Sequence, residues 1–277
     1  MNTKQLIVIV IVVVLMGALL ARPIKGLVTE DKGAKASATS TSSSAFNFQS
    51  VSDITKQSIN ASLAQEITAL EEKAANADGD EKLALLDQLA KKWDDLAKYA
   101  PQGFIFEEMA KISPKFEYWL KAGDAYRSAY TNLQDTAMAA ELNRLAIQSY
   151  EKATELDASS LDAKTGLGAA MVTGTNNPMA GIALLREVVA KDPKNIQANK
   201  TLGLFSLQSR QFDKAIERFK TVVELKPDAE AYFYLATGYE NIGLKNEAIA
   251  AFQKSKELAA DPTLSQFIDK RIDELSK

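Results

Sequence analysis

The chain has no histidine and no cysteine among its 277 residues. Those absences exclude thiolate nucleophiles, imidazole general bases, disulfides and lipid attachment at a cysteine, and they remove the usual zinc ligand sets. A chain free of cysteine is compatible with an oxidising compartment without selecting one. An excess of either charge is also missing. Thirty-three basic residues stand against 36 acidic ones, a formal charge of −3. A nucleic-acid protein carries a basic patch on this scale; none is visible, and no nucleic-acid partner is expected. The acidic pairs Glu71-Glu72, Asp94-Asp95 and Glu107-Glu108 are adjacent in sequence. Neighbours on a helix point about 100° apart and do not face each other across a substrate. They read as solvated faces. A Ser-Lys pair stays open in principle, but no constellation presents one, so the chain is expected to be no enzyme and to hold no cofactor or metal.

One long apolar run is present, at the N-terminus. Leu6 to Ala21 reads LIVIVIVVVLMGALLA without a charge, preceded by Lys4 and followed by Arg22 and Lys25. At about 1.5 Å per residue it spans about 24 Å, against a bilayer core of about 30 Å. Gln5 and the stems of Lys4 and Arg22 extend it by snorkelling. The rival reading is a cleaved secretory signal. Cleavage after Ala21 would put Leu19 where a small residue is wanted, so an uncleaved single-pass anchor at 6–21 is expected, in a bacterial-type inner membrane, behind a tail at 1–5. Counting Lys and Arg near the span, one before against four after, favours the C-terminal side inside. The very short tail argues the opposite, and it sets the expectation of an extracytoplasmic body. Residues 22–50 follow as a tether rich in Ser, Thr and Ala; the stretch from Gly33 to Ser50 has an r.m.s. reach of about 23 Å. Phe46 and Phe48 interrupt it and are expected to staple it to the first helix rather than to serve as a docking motif.

From Val51 onward the apolar spacing is helical. Ile59, Leu63, Ile67, Leu70 and Ala74 recur every 3–4 residues, and Asp78-Gly79-Asp80 breaks the pattern. Asp80 is expected to cap a second helix carrying Leu83, Leu86, Leu89, Trp93 and Leu96, which Pro101-Gln102-Gly103 would end. Phe104 to Lys111 then forms a short apolar segment. This region, 51–112, reads as a helical hairpin serving as a degenerate repeat or cap. Ser113 is expected to cap the next helix, with Pro114 in its first turn. Gly166-x-Gly168 falls inside a helix rather than after a strand, so it is no phosphate loop. Asn60-Ala61-Ser62 fits a glycosylation sequon but is expected to be a chance match on a helix face.

A repeat organises residues 113–262. Leu202-Gly203, Ala215 and Phe219 return as Leu235-Ala236, Ala248 and Phe252, each shifted by 33 residues. Pro227 and Pro262 close these two units. Leu167-Gly168, Leu185 and Pro193 mark an earlier unit. The first holds Trp119, Ala122-Gly123, Tyr126, Ala146, Tyr150 and Ala153, with 23 residues between Gly123 and Ala146 instead of twelve. The eleven extra residues are about three helical turns, and Met138, Leu142 and Leu145 carry an apolar stripe through them; an overlong helix is expected. Leu264, Phe267, Ile268, Ile272 and Leu275 form a closing amphipathic helix at 263–277. This register resembles the tetratricopeptide repeat, with its aromatic, Leu-Gly, Tyr, Ala-x3-Phe and Pro places. The resemblance implies an all-α solenoid of helical hairpins, about four repeats long.

The resemblance further implies a concave groove lined by the first helix of each pair, holding a protein or peptide segment. Its places here are Glu117, Leu120, Asp124 and Arg127; Asp162, Thr165, Ala169 and Val172; Gln197, Lys200, Leu204 and Leu207; and Glu230, Phe233, Thr237 and Glu240. The best candidates are Arg127, Thr165, Ala169, Lys200, Leu204, Leu207, Glu230, Phe233, Thr237 and Glu240. The family's clamp for a C-terminal carboxylate needs Lys and Asn four apart; Lys200 is followed by Leu204, so it is missing. The acidic ends of this groove lead to the expectation of a partner with apolar anchors and some positive charge. Two roles follow: a membrane-anchored interaction scaffold or assembly factor, or a chaperone-like holder of unfolded or secreted chains. Homo-oligomerisation by stacking is open to either.

Overall fold

A computed structural model describes residues 46–277 except Asn132, Gln134 and Asn176. The expected tail at 1–5, anchor at 6–21 and most of the tether lie outside the described residues. Among the described residues no helix is long and apolar enough to cross a membrane.

The first departure from expectation is a helix that begins three residues inside the supposed tether. Helix α1 spans Phe48–Lys56, and Asn47 opens it with a capping box in which its side chain accepts from the Ser50 amide and the Ser50 side chain accepts from the Asn47 amide. Polar composition hid this start, because Asn and Ser stabilise a helix at its N-terminus rather than in its interior. Phe46 lies against Phe104 with ring centroids 5.8 Å apart, and Phe104 stands edge-on to Tyr126 at 5.3 Å. Lys56 fastens α1 to α2 (Ala61–Ala75) by an ion pair to Glu71 at 2.7 Å. Ser52 donates to the other Glu71 oxygen. Asn60 is not on a helix face; it caps α2, accepting from the Ser62 amide.

Three helix ends differ from the sequence reading. Helix α3 spans Gly79–Asp95 and is entered from Asp78, not Asp80. Gly79 has φ +56°, a left-handed conformation that favours glycine, and Asp80 and Glu81 fall in the first turn, where they complement the helix dipole. The chain leaves α3 through Ala97, also left-handed at φ +51°. Pro101-Gln102-Gly103 then lies inside α4 (Tyr99–Ile112) instead of ending a helix. Proline is tolerated there because first-turn amides have no intrahelical partner. Ser113 caps the C-terminus of α4, and α5 begins at Phe116.

The remaining helices are α5 (Phe116–Thr131), α6 (Thr136–Leu156), α7 (Leu161–Gly174), α8 (Pro178–Lys191), α9 (Ile196–Gln208), α10 (Phe212–Leu225), α11 (Ala229–Asn241), α12 (Lys245–Leu258) and α13 (Pro262–Leu275). Each packs on the next in chain order, and α9 also touches α7 and α11, so hairpins stack into an all-helical solenoid. The 21 residues of α6 contain most of the stretch between Gly123 and Ala146 that exceeds the repeat.

The repeat glycines have a packing reason. A Cβ on Gly123 would sit 2.7 Å from the Tyr150 ring, one on Gly168 2.8 Å from Leu185, and one on Gly203 2.8 Å from Phe219. The same step of each hairpin thus receives one large side chain from its second helix. Tyr150 is held from a second direction by Gly166, whose Cβ would lie 2.3 Å from its ring. Gly181 brings α8 onto the backbone of α7: its Cβ would meet the Gly168 carbonyl oxygen at 2.5 Å. In the unit where Ala236 stands in for glycine, Ala236 and Phe252 are both fully buried in one cluster. Buried polar bonds tie successive units. Asn199, fully buried, donates to the carbonyls of Pro193 and Asn195 and accepts from Arg218 at 3.1 Å.

Candidate protein-binding groove

The first helices of successive hairpins, α5, α7, α9 and α11, share one side of a groove of about 720 Å³. From α5 come Arg127, Tyr130 and Thr131; from α7, Ala169, Val172 and Thr173; from α9, Gln197, Lys200, Thr201 and Leu204; from α11, Glu230. Their spacing follows from helical geometry. Residues three or four apart share a face, so Ala169, Val172 and Thr173 point one way while Leu167 and Ala170 point into the core. A further wall comes from α6, whose early turns supply Thr136, Ala139, Ala140 and Asn143. Asn143 is 3% exposed and donates to the Ala170 carbonyl at 3.2 Å, fixing the long helix against α7.

The sequence-derived candidates divide between two places. Arg127, Ala169, Lys200, Leu204 and Glu230 converge on this groove. Phe233, Thr237 and Glu240 line a separate hollow of about 530 Å³ with Phe267 and Arg271. Thr165 is buried, its hydroxyl spent on the Leu161 carbonyl at 2.6 Å. Leu207 packs against the C-terminal core cluster. Sequence reading missed the residues of α6, together with Tyr130, Thr131, Thr173 and Thr201 on the first helices. The eleven-residue insertion was the available signal for α6, but it reads as extra length, not as a groove wall.

The acidic ends expected from sequence are already occupied. Glu230 accepts from Lys200, and Glu240 accepts from Arg271 in the other hollow. Arg127 is held differently. Its Nε donates to the Tyr150 hydroxyl at 3.2 Å, and that hydroxyl donates to Asp124 Oδ1 at 2.7 Å. Burial, reinforced by the Asp124 charge, pushes the Tyr150 phenol well above its ordinary value, so it stays a neutral link. The hollow beside Asp124 opens on another side, lined by Asp94, Gln102 and Lys121. Among the described residues no group of acidic side chains is arranged to hold a metal ion.

Similarity to known proteins agrees with this architecture. A tetratricopeptide repeat sequence model matches residues 173–238, and a second tetratricopeptide repeat model matches 229–262. No curated protein matches the chain. Among solved structures, MamA residues 41 to the end from Desulfovibrio magneticus RS-1 is 22% identical, with TM-score 0.50 over 66% of this chain and 97% of that one. Another MamA crystal structure is 28% identical, with TM-score 0.48 over 61% and 92%. TTC0263, a thermophilic TPR protein of Thermus thermophilus, is 17% identical, with TM-score 0.49 over 70% and 98%. At 22% identity the Desulfovibrio likeness speaks for the fold alone, and it is the fold that the helix order displays. Repeat register, hairpin packing and two matching repeat models coincide over residues 173–262: this part of the chain is built of tetratricopeptide repeats.

Proposed function

We propose that this chain is a protein-interaction scaffold that receives a segment of a partner polypeptide in the groove between α5, α6, α7 and α9, with residues 6–21 holding it at a membrane. The observation that supports the reading is the lining itself. Ala139, Ala140, Ala169, Val172 and Leu204 offer apolar contact, while Thr173, Thr201 and Gln197 offer hydrogen bonds at intervals. Such a surface suits a polypeptide, whose backbone needs polar partners and whose side chains need apolar ones. A volume of about 720 Å³ fits a few residues of extended chain or one face of a helix.

The test fills the groove without touching its core. Ala140 is exposed on α6, so Ala140→Trp intrudes on the groove while leaving the hairpin packing intact. In-cell crosslinking of the full chain should recover a small set of stoichiometric partners that the variant loses while keeping its melting curve. Partners retained in full by the variant sink the groove; a broad set of weakly held clients favours a holder of unfolded chains. The anchor is tested separately with Ser42→Cys, unique in a chain without cysteine. Membrane-impermeant maleimide labelling of intact cells reports an extracytoplasmic body, labelling only after lysis a cytoplasmic one, and recovery in the soluble fraction refutes the anchor.

A further inference from the structure

We propose that the segment this groove prefers carries an acidic side chain, and that Arg127 receives its carboxylate. The inference rests on the groove reading above and reverses the charge that sequence alone assigned to the partner. Two cations line the groove, Arg127 and Lys200. Lys200 is neutralised by Glu230 across the step from α9 to α11. Arg127 has no direct ion pair among the described residues; Asp124 attracts it across space, but the hydrogen bonds between them run through the Tyr150 hydroxyl. The net charge of the lining, two cations against Glu230, is therefore positive.

The guanidinium is also positioned. The Tyr150 ring is clamped between Gly123 and Gly166, each of which would have its Cβ within 2.7 Å of it. That ring cannot drift, so its hydroxyl fixes Nε and leaves the two terminal amines of Arg127 for a ligand. A guanidinium held by one edge presents the planar fork that suits a carboxylate. Ala169, Val172 and Ala139 line the same groove, and apolar walls strengthen a charge-assisted bond relative to one in open water. Asp124 offsets part of the charge without a direct ion pair, so a half-buried guanidinium keeps bonding capacity that an acidic ligand can fill.

The experiment uses the full chain and three fluorescent pools of short peptides, acetylated and amidated so that no terminal charge remains. The pools are degenerate in Ala, Val, Leu, Ser and Thr and differ only in a central Glu, Gln or Lys. Fluorescence anisotropy should show the Glu pool bound about tenfold more tightly than the Gln pool, and the Lys pool most weakly. Arg127→Gln should erase the preference for Glu over Gln, and Arg127→Lys should keep part of it. Equal binding of the three pools by the wild type, lost in Ala140→Trp, overturns the acidic preference alone. No binding of any pool by the wild type, or binding indifferent to Ala140→Trp, overturns the groove reading and this inference together. A Glu preference that survives Arg127→Gln moves the recognition elsewhere and refutes the role of Arg127.

Discussion

Gly181→Ala is the most searching test of how these hairpins close. The new methyl would stand 2.5 Å from the Gly168 carbonyl oxygen, 2.9 Å from Met171 Cβ and 3.0 Å from Val172 Cγ2. The first of these neighbours is backbone, which cannot rotate away, so α8 must retreat from α7 by several tenths of an ångström. Two terms compete. Alanine is favoured over glycine in a helix interior by about 1 kcal/mol. Overpacking a close contact costs about 1–3 kcal/mol. The contact should win, for a net loss of up to about 2 kcal/mol. Gly238→Ala is the control, because its Cβ would meet Ile216 Cγ1 at 2.8 Å, part of a side chain that can repack. There the helical gain should offset the contact to within about 1 kcal/mol. Urea unfolding followed by far-UV circular dichroism and by tyrosine fluorescence reports both; agreement of the two probes guards against stepwise melting of an array. Gly181→Ala as stable as the wild type, or less destabilised than Gly238→Ala, refutes the claim that α7 and α8 touch backbone to backbone. Because Ala169, Val172 and Thr173 lie on α7, the same substitution should also weaken binding in the groove.

Other expectations follow from buried polar partners. Lys56→Met leaves Glu71, whose side chain is 8% exposed, with only the Ser52 hydroxyl as support. The loss should be about 2 kcal/mol and local, seen as faster amide exchange over Phe48–Lys56 with little change beyond α2; uniform exchange would refute the latch. Asn199→Ala removes the donor to the Pro193 and Asn195 carbonyls and the acceptor of Arg218, and should cost about 1–3 kcal/mol in urea unfolding. A neutral result would mean that water replaces the side chain without loss. Tyr150→Phe keeps the clamped ring but loses the hydroxyl between Asp124 and Arg127. It should cost about 1 kcal/mol and reduce the preference for the Glu peptide pool; an unchanged preference would show that Arg127 needs no such orientation.

How far the chain could be read in advance depended on which physical signal a feature leaves. Register left a strong one. Gly123, Gly168 and Gly203 each face a large side chain from the second helix of their hairpin, and so narrow a requirement recurs in sequence at a fixed interval. Helix ends left a weaker one. Asp78, Gly79 and Asp80 are all plausible near an N-terminus, and the left-handed φ of Gly79 settles where the turn lies. Pro101 looked like a terminator because proline ends a helix from within but opens one from its first turn, and the sequence does not say which turn it occupies. The start of helix α1 was hidden because its capping residues, Asn47 and Ser50, have the polar composition of a linker.

The sequence by itself determined that this is a helical repeat protein without imidazole or thiol chemistry, because composition and periodicity are local properties that need no knowledge of who meets whom. Which charges remain available was decided only by the tertiary structure. Glu230 and Glu240 look like free acids in a row of candidate groove positions, yet Lys200 from the preceding unit and Arg271 from the closing helix neutralise them. Arg127 looks like one basic residue among 33, yet a tyrosine held between two glycines orients it without cancelling its charge. Ion pairing depends on distances of a few ångströms between side chains 30 or more residues apart in sequence, and only the stacking of helix on helix sets those distances.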